Sequence, residues 1–196
     1  MLASHRPRWN IAPSDWHWIL TPRDEGRVFD VATWGIGERG IINARAETVA
    51  RLPSFRESFA TRRCLVPADG FYEWERGAHG KIPWHFHRPD LAPVLFAGLW
   101  TPDRDGGARF AIITVPANDT IASIHDRMPA IVAVADVSEW LVGPTPERLL
   151  VSPPNDLLVA ARASSRVNSP ANDDAGLLQA DEPSAPVPPR QLKLFG

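Results

Sequence analysis

The sequence contains a single cysteine, Cys64, among 196 residues. One cysteine cannot form an intramolecular disulfide or build a thiolate metal site, which excludes the disulfide-rich secreted domains and the four-cysteine zinc proteins. No apolar run approaches the roughly 20 residues needed to cross a bilayer, and the amino terminus lacks the apolar segment of a signal peptide. We therefore expect a soluble, cytoplasmic protein.

The chain also has no large excess of positive or negative charge, since it contains 21 Lys and Arg residues and 23 Asp and Glu residues. The overall charge gives no indication of a nucleic-acid-binding protein, so such a role would need a local patch. The densest positive segment lies between residues 38 and 63, where six arginines face three glutamates (Arg39, Arg45, Arg51, Arg56, Arg62 and Arg63 against Glu38, Glu47 and Glu57). This segment either binds phosphates or forms a solvated helix face.

Length and composition predict one domain with a substantial core and a tail. A chain of 196 residues with 44 % hydrophobic content is too short for two comfortable domains. From about residue 180 the composition changes to proline, alanine and charge, which cannot bury a core. We predict a domain over residues 1–178 and a disordered tail over residues 179–196.

Alternating and apolar segments predict mostly strands, bounded by turn residues. We expect a hairpin from residues 16–20 and 27–34, and a second, central hairpin of strand, tight turn and strand in the sequence RCLVPADGFYEW at residues 63–74. Further strands are expected at residues 81–88, 93–100, 109–115, 130–134 and 156–161, and short helices at residues 54–59, 120–124, 137–141 and 146–150.

Glu73 is the first candidate for chemistry. With a side-chain period of two, Phe71 and Glu73 share one strand face and Tyr72 and Trp74 the other, so the carboxylate lies among rings. Such surroundings raise a carboxyl pKa toward the range useful for proton transfer. The alternative is a sheet-surface acid paired to an arginine.

Three other polar positions also have two interpretations. Asn10, before the Pro13 turn, either contacts a substrate or caps the turn. His125, at the end of a predicted helix, is either a titrating group or structural. His85 and His87 share a strand face that would suit a metal, but no third ligand is evident, so we predict no metal and no cofactor.

Six motifs occur in a fixed order: WNIAP, WG followed by INARAET, PSFRESF, RRCLVPADGFYEW, FAGLW and IHDRMPAIV. Together they resemble the SOS response-associated peptidases, also called abasic-site processing proteins, over roughly residues 8–174. The resemblance implies an α+β domain of curved, mainly antiparallel sheets with short peripheral helices around a cleft for single-stranded DNA or a strand junction. In this family an amino-terminal cysteine condenses with the aldehyde of an abasic site, giving a thiazolidine crosslink.

The resemblance also implies roles for individual residues. Asn43 would hold the sugar and the nucleophile, Glu73 would transfer protons near the amine, and His125 would assist Schiff-base chemistry and reversal. DNA contacts would come from Asn10 in the pocket, Arg45 on the phosphates and Trp34 on the surface met by the bases.

One feature departs from the family pattern. Family members begin Met-Cys-Gly-Arg, whereas this chain begins Met1-Leu2-Ala3 and reaches WNIAP at once. Cys64 lies in an apolar strand, so we interpret it as a core residue rather than a substitute nucleophile. Either the true start lies upstream or the chain is a shortened paralogue; we favour an upstream start, because Asn43, Glu73 and His125 are all retained.

The final residues, QLKLF, resemble the motif by which bacterial DNA-processing proteins bind the replication sliding clamp. Gln191, Leu192, Leu194 and Phe195 would make this contact, and a proline-rich spacer would tether the domain to forks. The tail could instead fold back on its own domain. We expect a nucleoid-associated monomer whose partners are abasic single-stranded DNA and the clamp. Two other functions stay open: a non-catalytic single-strand-binding module, and a thiol peptidase using Cys64 with His125.

Overall fold

The computed structural model describes residues 6–24, 26–77 and 80–181. Most of the predicted tail and its QLKLF sequence lie outside these residues. The described chain forms an α+β fold with ten strands in two sheets: β1 (Trp16–Arg23), β2 (Gly26–Trp34), β3 (Asn43–Arg45), β4 (Arg63–Ala68), β5 (Gly70–Gly77), β6 (Gly80–His87), β7 (Val94–Pro102), β8 (Ala108–Pro116), β9 (Arg127–Pro129) and β10 (Val159–Arg162).

The larger sheet is curved and mainly antiparallel. Its strands follow the order β2-β1-β4-β7-β8-β3, with β9 also paired to β8. Strand β2 returns to pair in parallel with β8 at Thr33–Arg109 and Trp34–Phe110, so the sheet closes on itself at this end. Because it is enclosed on both faces, β8 is buried almost continuously over residues 110–115, in agreement with its unbroken apolar sequence.

The smaller sheet has three antiparallel strands in the order β10-β6-β5. It packs on the larger sheet through aromatic side chains: Phe71 stacks on Phe86, with ring centroids 5.3 Å apart, and meets the edge of Phe96 from β7 at 5.9 Å. Phe86 is fully buried, so the two sheets share one hydrophobic core.

The helices are short and peripheral: α1 (Ala46–Val49), α2 (Arg56–Thr61), α3 (Asp119–Ala122) and α4 (Val137–Val142), with 3₁₀ turns at Val134–Asp136, Pro146–Leu149, Ser165–Asn168 and Ala175–Leu178. α1, α2 and α3 each bury one apolar residue, and α4 buries three. Trp140 of α4 is completely buried, and its indole N–H donates to the carbonyl of Cys64 at 2.7 Å. These helices cover the sheets rather than form a layer of their own.

Two strand predictions were wrong, one because the strands pair differently and the other because no strand forms. Strands β4 and β5 do not form a hairpin, because β4 pairs with β1 and β7 in the larger sheet while β5 pairs with β6 in the smaller one. The turn at Asp69 therefore carries the chain between sheets. Residues 130–134 form no strand; Ile131 makes one isolated bridge to Phe96, and the chain then enters a 3₁₀ turn.

Candidate functional site

Glu73 and His125 come from different parts of the chain and interact electrostatically. Glu73 lies half-buried in β5, and burial raises the pKa of its carboxyl; the positive charge of protonated His125 lowers that pKa and the carboxylate of Asp126 raises it. The direction of the shift is the one expected from the sequence. A carboxyl whose pKa is raised in this way can hold a proton closer to neutral pH than an ordinary glutamic acid.

His125 lies in the loop between α3 and β9, with 44 % of its side chain exposed. The backbone N–H of Arg127 donates to its Nδ1 at 3.0 Å, and the Asp126 carboxylate lies 3.4 Å from the same atom. The carbonyl oxygen of Arg127 also lies 3.1 Å from Nδ1, so the tautomer of the ring decides whether this atom donates or accepts. The imidazole is thus both oriented by its own loop and accessible.

Asn43 and Arg45 project from the same side of β3, because the buried Ala44 between them faces the core. Strand β3 runs parallel to β8, with Asn43 opposite Ile112 and Arg45 opposite Thr114. Both side chains are exposed, and neither has a hydrogen bond or ion pair to another described residue. They are available to a ligand, while no described hydrogen bond joins Asn43 directly to Glu73 or His125.

Arg127 connects the β3 segment to the His125 loop. Its guanidinium binds both carboxylate oxygens of Glu47, at 2.5 and 2.9 Å, and donates to the backbone carbonyl of Thr114 at 2.5 Å. Glu47 lies in the first turn of α1, two residues after Arg45, so this pair holds the two halves of the candidate site together. The hydrogen bonds from Arg127 lower the pKa of Glu47.

Sequence reasoning did not single out Arg127 or Glu47. The available signal was position: Glu47 lies within the INARAET motif and Arg127 within IHDRMPAIV, each two residues from a predicted site residue. Two opposite charges in different motifs indicate an ion pair only when the motifs are neighbours in space. A single sequence does not establish that they are.

Trp34 stabilises the segment that leads into β3. Its indole N–H donates to the carbonyl of Ile42 at 3.0 Å, and its ring stacks on Phe110 with centroids 6.2 Å apart. The ring is therefore half-buried rather than freely exposed. It fixes the backbone immediately before Asn43.

Asn10 is only 7 % exposed, and its side-chain amide forms hydrogen bonds within the protein. Nδ2 donates to the carbonyls of Val167, Ser169 and Asn172 at 3.1 to 3.2 Å. These bonds run to the loop at residues 167–172 and not to the Pro13 turn, so the amide has a structural role other than the turn cap considered above. The amide holds the loop after residue 164 against the WNIAP segment, and its nitrogen has no hydrogen left for DNA.

The arginine-rich segment is only partly available for phosphates. Arg63 is buried and donates to the carbonyls of Phe59, Ala60, Trp140 and Gly143, so it is a structural residue. Arg62 pairs with Glu57. Arg39, Arg45 and Arg56 are exposed, and no ion pair holds them to any described residue.

Cys64 and the paired histidines complete the set of candidate reactive groups. Cys64 is 0 % exposed in the middle of β4, and burial raises the pKa of its thiol well above the ordinary value. His85 and His87 stack with ring centroids 5.1 Å apart, and burial lowers the pKa of His85 to about 4. Within residues 6–24, 26–77 and 80–181, no group of three or more His, Cys, Asp or Glu side chains is arranged to hold a metal ion.

The described part of the chain contains no helix long and apolar enough to span a membrane.

Comparisons with known proteins agree on one family. The family model for SOS response associated peptidase (SRAP) matches residues 2–170. The abasic site processing protein YoqW of Bacillus subtilis is 35 % identical over 196 residues, covering 89 % of this chain and 87 % of YoqW. The abasic site processing protein HMCES of Xenopus tropicalis is 30 % identical, covering 85 % of this chain but 54 % of its own length.

Solved structures have the same fold. A protein from Bacteroides thetaiotaomicron superposes with a TM-score of 0.75 at 26 % identity, covering 86 % of this chain and 82 % of that one. A phage-related protein from Bordetella bronchiseptica gives a TM-score of 0.66 at 30 % identity, covering 82 % and 83 %. With a family model spanning most of its length and relatives matched at this level, the chain belongs to the SOS response-associated peptidase family of abasic site processing proteins.

Proposed function

We propose that this protein binds single-stranded DNA and processes abasic sites in it, with Glu73 and His125 as the proton-transfer pair. The observation that carries the proposal is the half-buried Glu73 carboxyl, whose raised pKa responds to the charge of His125 across the site. Acid and base groups held in one place by different segments are typical of sites for proton transfer.

The proposed chemistry is condensation of an amine with the open-chain aldehyde of an abasic sugar. The amine nitrogen forms a bond to the aldehyde carbon, and the carbonyl oxygen leaves as water after receiving two protons. A neutral carboxyl delivers a proton to the departing oxygen, and a neutral imidazole accepts one from the attacking nitrogen. Glu73 and His125 suit these two tasks, and Asn43 would hydrogen-bond the sugar.

Arg45 is the proposed phosphate contact, since its exposed guanidinium is not held by any described carboxylate. We propose that Trp34 serves DNA binding by fixing the backbone that carries Asn43. A non-catalytic binding module would need Arg45 but not Glu73 or His125.

The catalytic claim is tested by supplying the amine and thiol as free cysteine, with abasic single-stranded DNA bound to the protein. The amine adds to the aldehyde, water leaves, and the thiol then adds to the C=N bond to close a thiazolidine. We expect wild type to accelerate this reaction and Glu73→Gln to reduce the acceleration by about 10²-fold or more, the usual contribution of a positioned acid. Equal rates with both proteins would favour the non-catalytic module.

The binding claim is tested by fluorescence anisotropy over a range of salt concentrations. Arg45→Ala should weaken binding of single-stranded DNA and lower the slope of log K against log salt by about 0.7, as expected for one phosphate contact on a single strand. Arg148→Ala is the matched control, because Arg148 is exposed but lies beside Glu139 on the α4 side of the molecule. Equal losses in the two variants would contradict the assignment.

For the crosslink itself, we propose that Cys64 does not act as the nucleophile. The buried Cys64 cannot reach a DNA aldehyde, so the 196-residue polypeptide should bind abasic DNA without forming a heat-stable band on a denaturing gel. A band that disappears in Cys64→Ala would contradict this.

Recruitment by the sliding clamp is a separate proposal that rests on the QLKLF sequence at the chain's end. We expect Phe195→Ala to abolish binding of the full chain to an immobilised clamp, while Arg190→Ala, just outside the motif, should preserve it. Loss of binding in both variants, or in neither, would argue against a specific peptide contact.

A further inference from the structure

Glu73 lies at one end of a row of three side chains that crosses the smaller sheet. In β5–β6 pairing Glu73 is opposite Trp84, and in β6–β10 pairing Trp84 is opposite Arg162. Directly opposite residues in antiparallel strands project from the same face. Since neighbouring strands are about 4.8 Å apart, Arg162 is two strands, or roughly 10 Å, from the candidate acid.

Trp84 and Arg162 form a stacked pair in this row. The guanidinium carbon of Arg162 lies 4.7 Å from the centroid of the Trp84 ring, within the range of a cation–π contact. The indole N–H donates to Glu75 at 2.9 Å, which fixes the plane of the ring. The inner part of Trp84 packs on the core, so the guanidinium lies toward solvent.

Arg162 is not engaged by any acidic partner. It is exposed, and among the described residues it makes no hydrogen bond and no ion pair. A planar guanidinium held over an aromatic ring can offer its outer side to another flat group, and nucleobases stack on arginine planes as well as on aromatic rings. Most exposed arginines of this chain lack such a support.

The pair also lies on the side of the molecule that carries the candidate site. Strand β10 packs against α3, the helix that leads into His125. The charge of His125 affects the pKa of Glu73, and Glu73 projects from the same sheet face as Trp84 and Arg162. A strand of DNA with its abasic sugar at Glu73 would therefore have a neighbouring nucleotide beside this pair.

We infer that Trp84 and Arg162 form a stacking subsite for the nucleobase adjacent to the abasic site in single-stranded DNA. The inference rests on the proposed function, because the abasic sugar defines which base is adjacent. Stacking does not depend on hydrogen-bond patterns, so the subsite takes any base and prefers purines, which have the larger ring surface.

The test is a thermodynamic cycle between a protein change and a DNA change. The probes are single-stranded oligonucleotides with one central tetrahydrofuran abasic analogue flanked by adenines, and the same strands with a second tetrahydrofuran replacing the 5′ or the 3′ adenine. For wild type, removal of one of these two adenines should weaken binding about tenfold, the usual effect of one stacked base. With Arg162→Ala, removal of that adenine should change affinity less than twofold.

Two further variants separate stacking from charge. Arg162→Lys keeps the positive charge but loses the plane, so it should retain the salt dependence of wild type and lose the effect of the adenine. Arg76→Ala is the matched control: Arg76 is exposed on the opposite face of the same sheet, and its variant should keep the tenfold effect.

The outcomes are distinct. If the adenine effect is equal in wild type and Arg162→Ala, or survives in Arg162→Lys, the stacking subsite is wrong while the proposed function stands. If wild type fails to bind the single-tetrahydrofuran strand, the proposed function and the subsite both fail.

Discussion

The two strands on either side of Asp69 show how one turn separates inert from reactive chemistry. Strand β4 enters the larger sheet between β1 and β7, where Cys64 has no exposed surface. Strand β5 enters the smaller sheet, where each residue from Phe71 to Glu75 stays partly exposed. Both Cys64 and Glu73 have a raised pKa because of burial, but only Glu73 can be reached from solvent.

A perturbed pKa therefore has different consequences in the two sheets. Complete burial of Cys64 removes the thiolate and also blocks any substrate, so the thiol behaves as a small apolar core residue. Partial burial of Glu73 raises the pKa while leaving a path to the carboxyl. This contrast also weighs against a thiol peptidase that would pair Cys64 with His125, because the nucleophile of such an enzyme must reach its substrate.

The largest expected difference between the sheets is in thiol reactivity. In native protein, Cys64 should react with a disulfide reagent at least about 10³-fold more slowly than in the unfolded chain, because access requires unfolding of the larger sheet. In Cys64→Ala/Glu73→Cys, the single thiol lies in the smaller sheet and should react at least about 10²-fold faster than native Cys64. Similar rates for the two proteins would show that the sheets do not differ in access.

A smaller difference is expected in side-chain contributions to the free energy of unfolding. Leu65 in β4 is completely buried, whereas Ile82 in β6 is half-buried. Leu65→Ala should cost about 2–5 kcal/mol, as other buried leucines do, and Ile82→Ala about 1 kcal/mol because less apolar surface is lost. Urea unfolding of both variants measures this; equal costs would mean that the smaller sheet is as tightly packed as the larger one.

The sequence predicted most of the strands because their patterns are local. The first hairpin and the strands near residues 81–88, 93–100 and 109–115 needed only alternation, apolar runs and turn residues. The motif resemblance supplied the α+β class, which the structure confirms. The raised pKa expected for Glu73 followed from the rings on either side of it along one strand.

Features that depend on non-local pairing could not be obtained in this way. A proline and a turn between two strands look the same whether the strands pair or enter different sheets, so the central hairpin was wrong. The internal bonds of Asn10 depend on a loop about 160 residues away in sequence. The Glu47–Arg127 pair and the Trp84–Arg162 stack likewise join segments that a single sequence does not place together.

The smallest expected effect is a pH dependence of folding stability caused by Glu73. Because its pKa is raised on folding, the native state binds more protons than the unfolded chain between the unfolded and folded pKa values. Stability should therefore fall as the pH rises through this window, and ionised Glu73 should be a cost at neutral pH. Glu73→Gln, which stays neutral, should be more stable than wild type at pH 7, with the difference shrinking toward acid.

Measuring the free energy of unfolding of wild type and Glu73→Gln between pH 4 and pH 8 shows directly which of the two is more stable. Glu147→Gln serves as the control, because Glu147 is an exposed acid outside the site and its removal should not reproduce the trend. If Glu73→Gln were less stable than wild type at pH 7, the carboxylate would be favourably paired in the native state. Glu73 would then be the sheet-surface acid of the alternative interpretation.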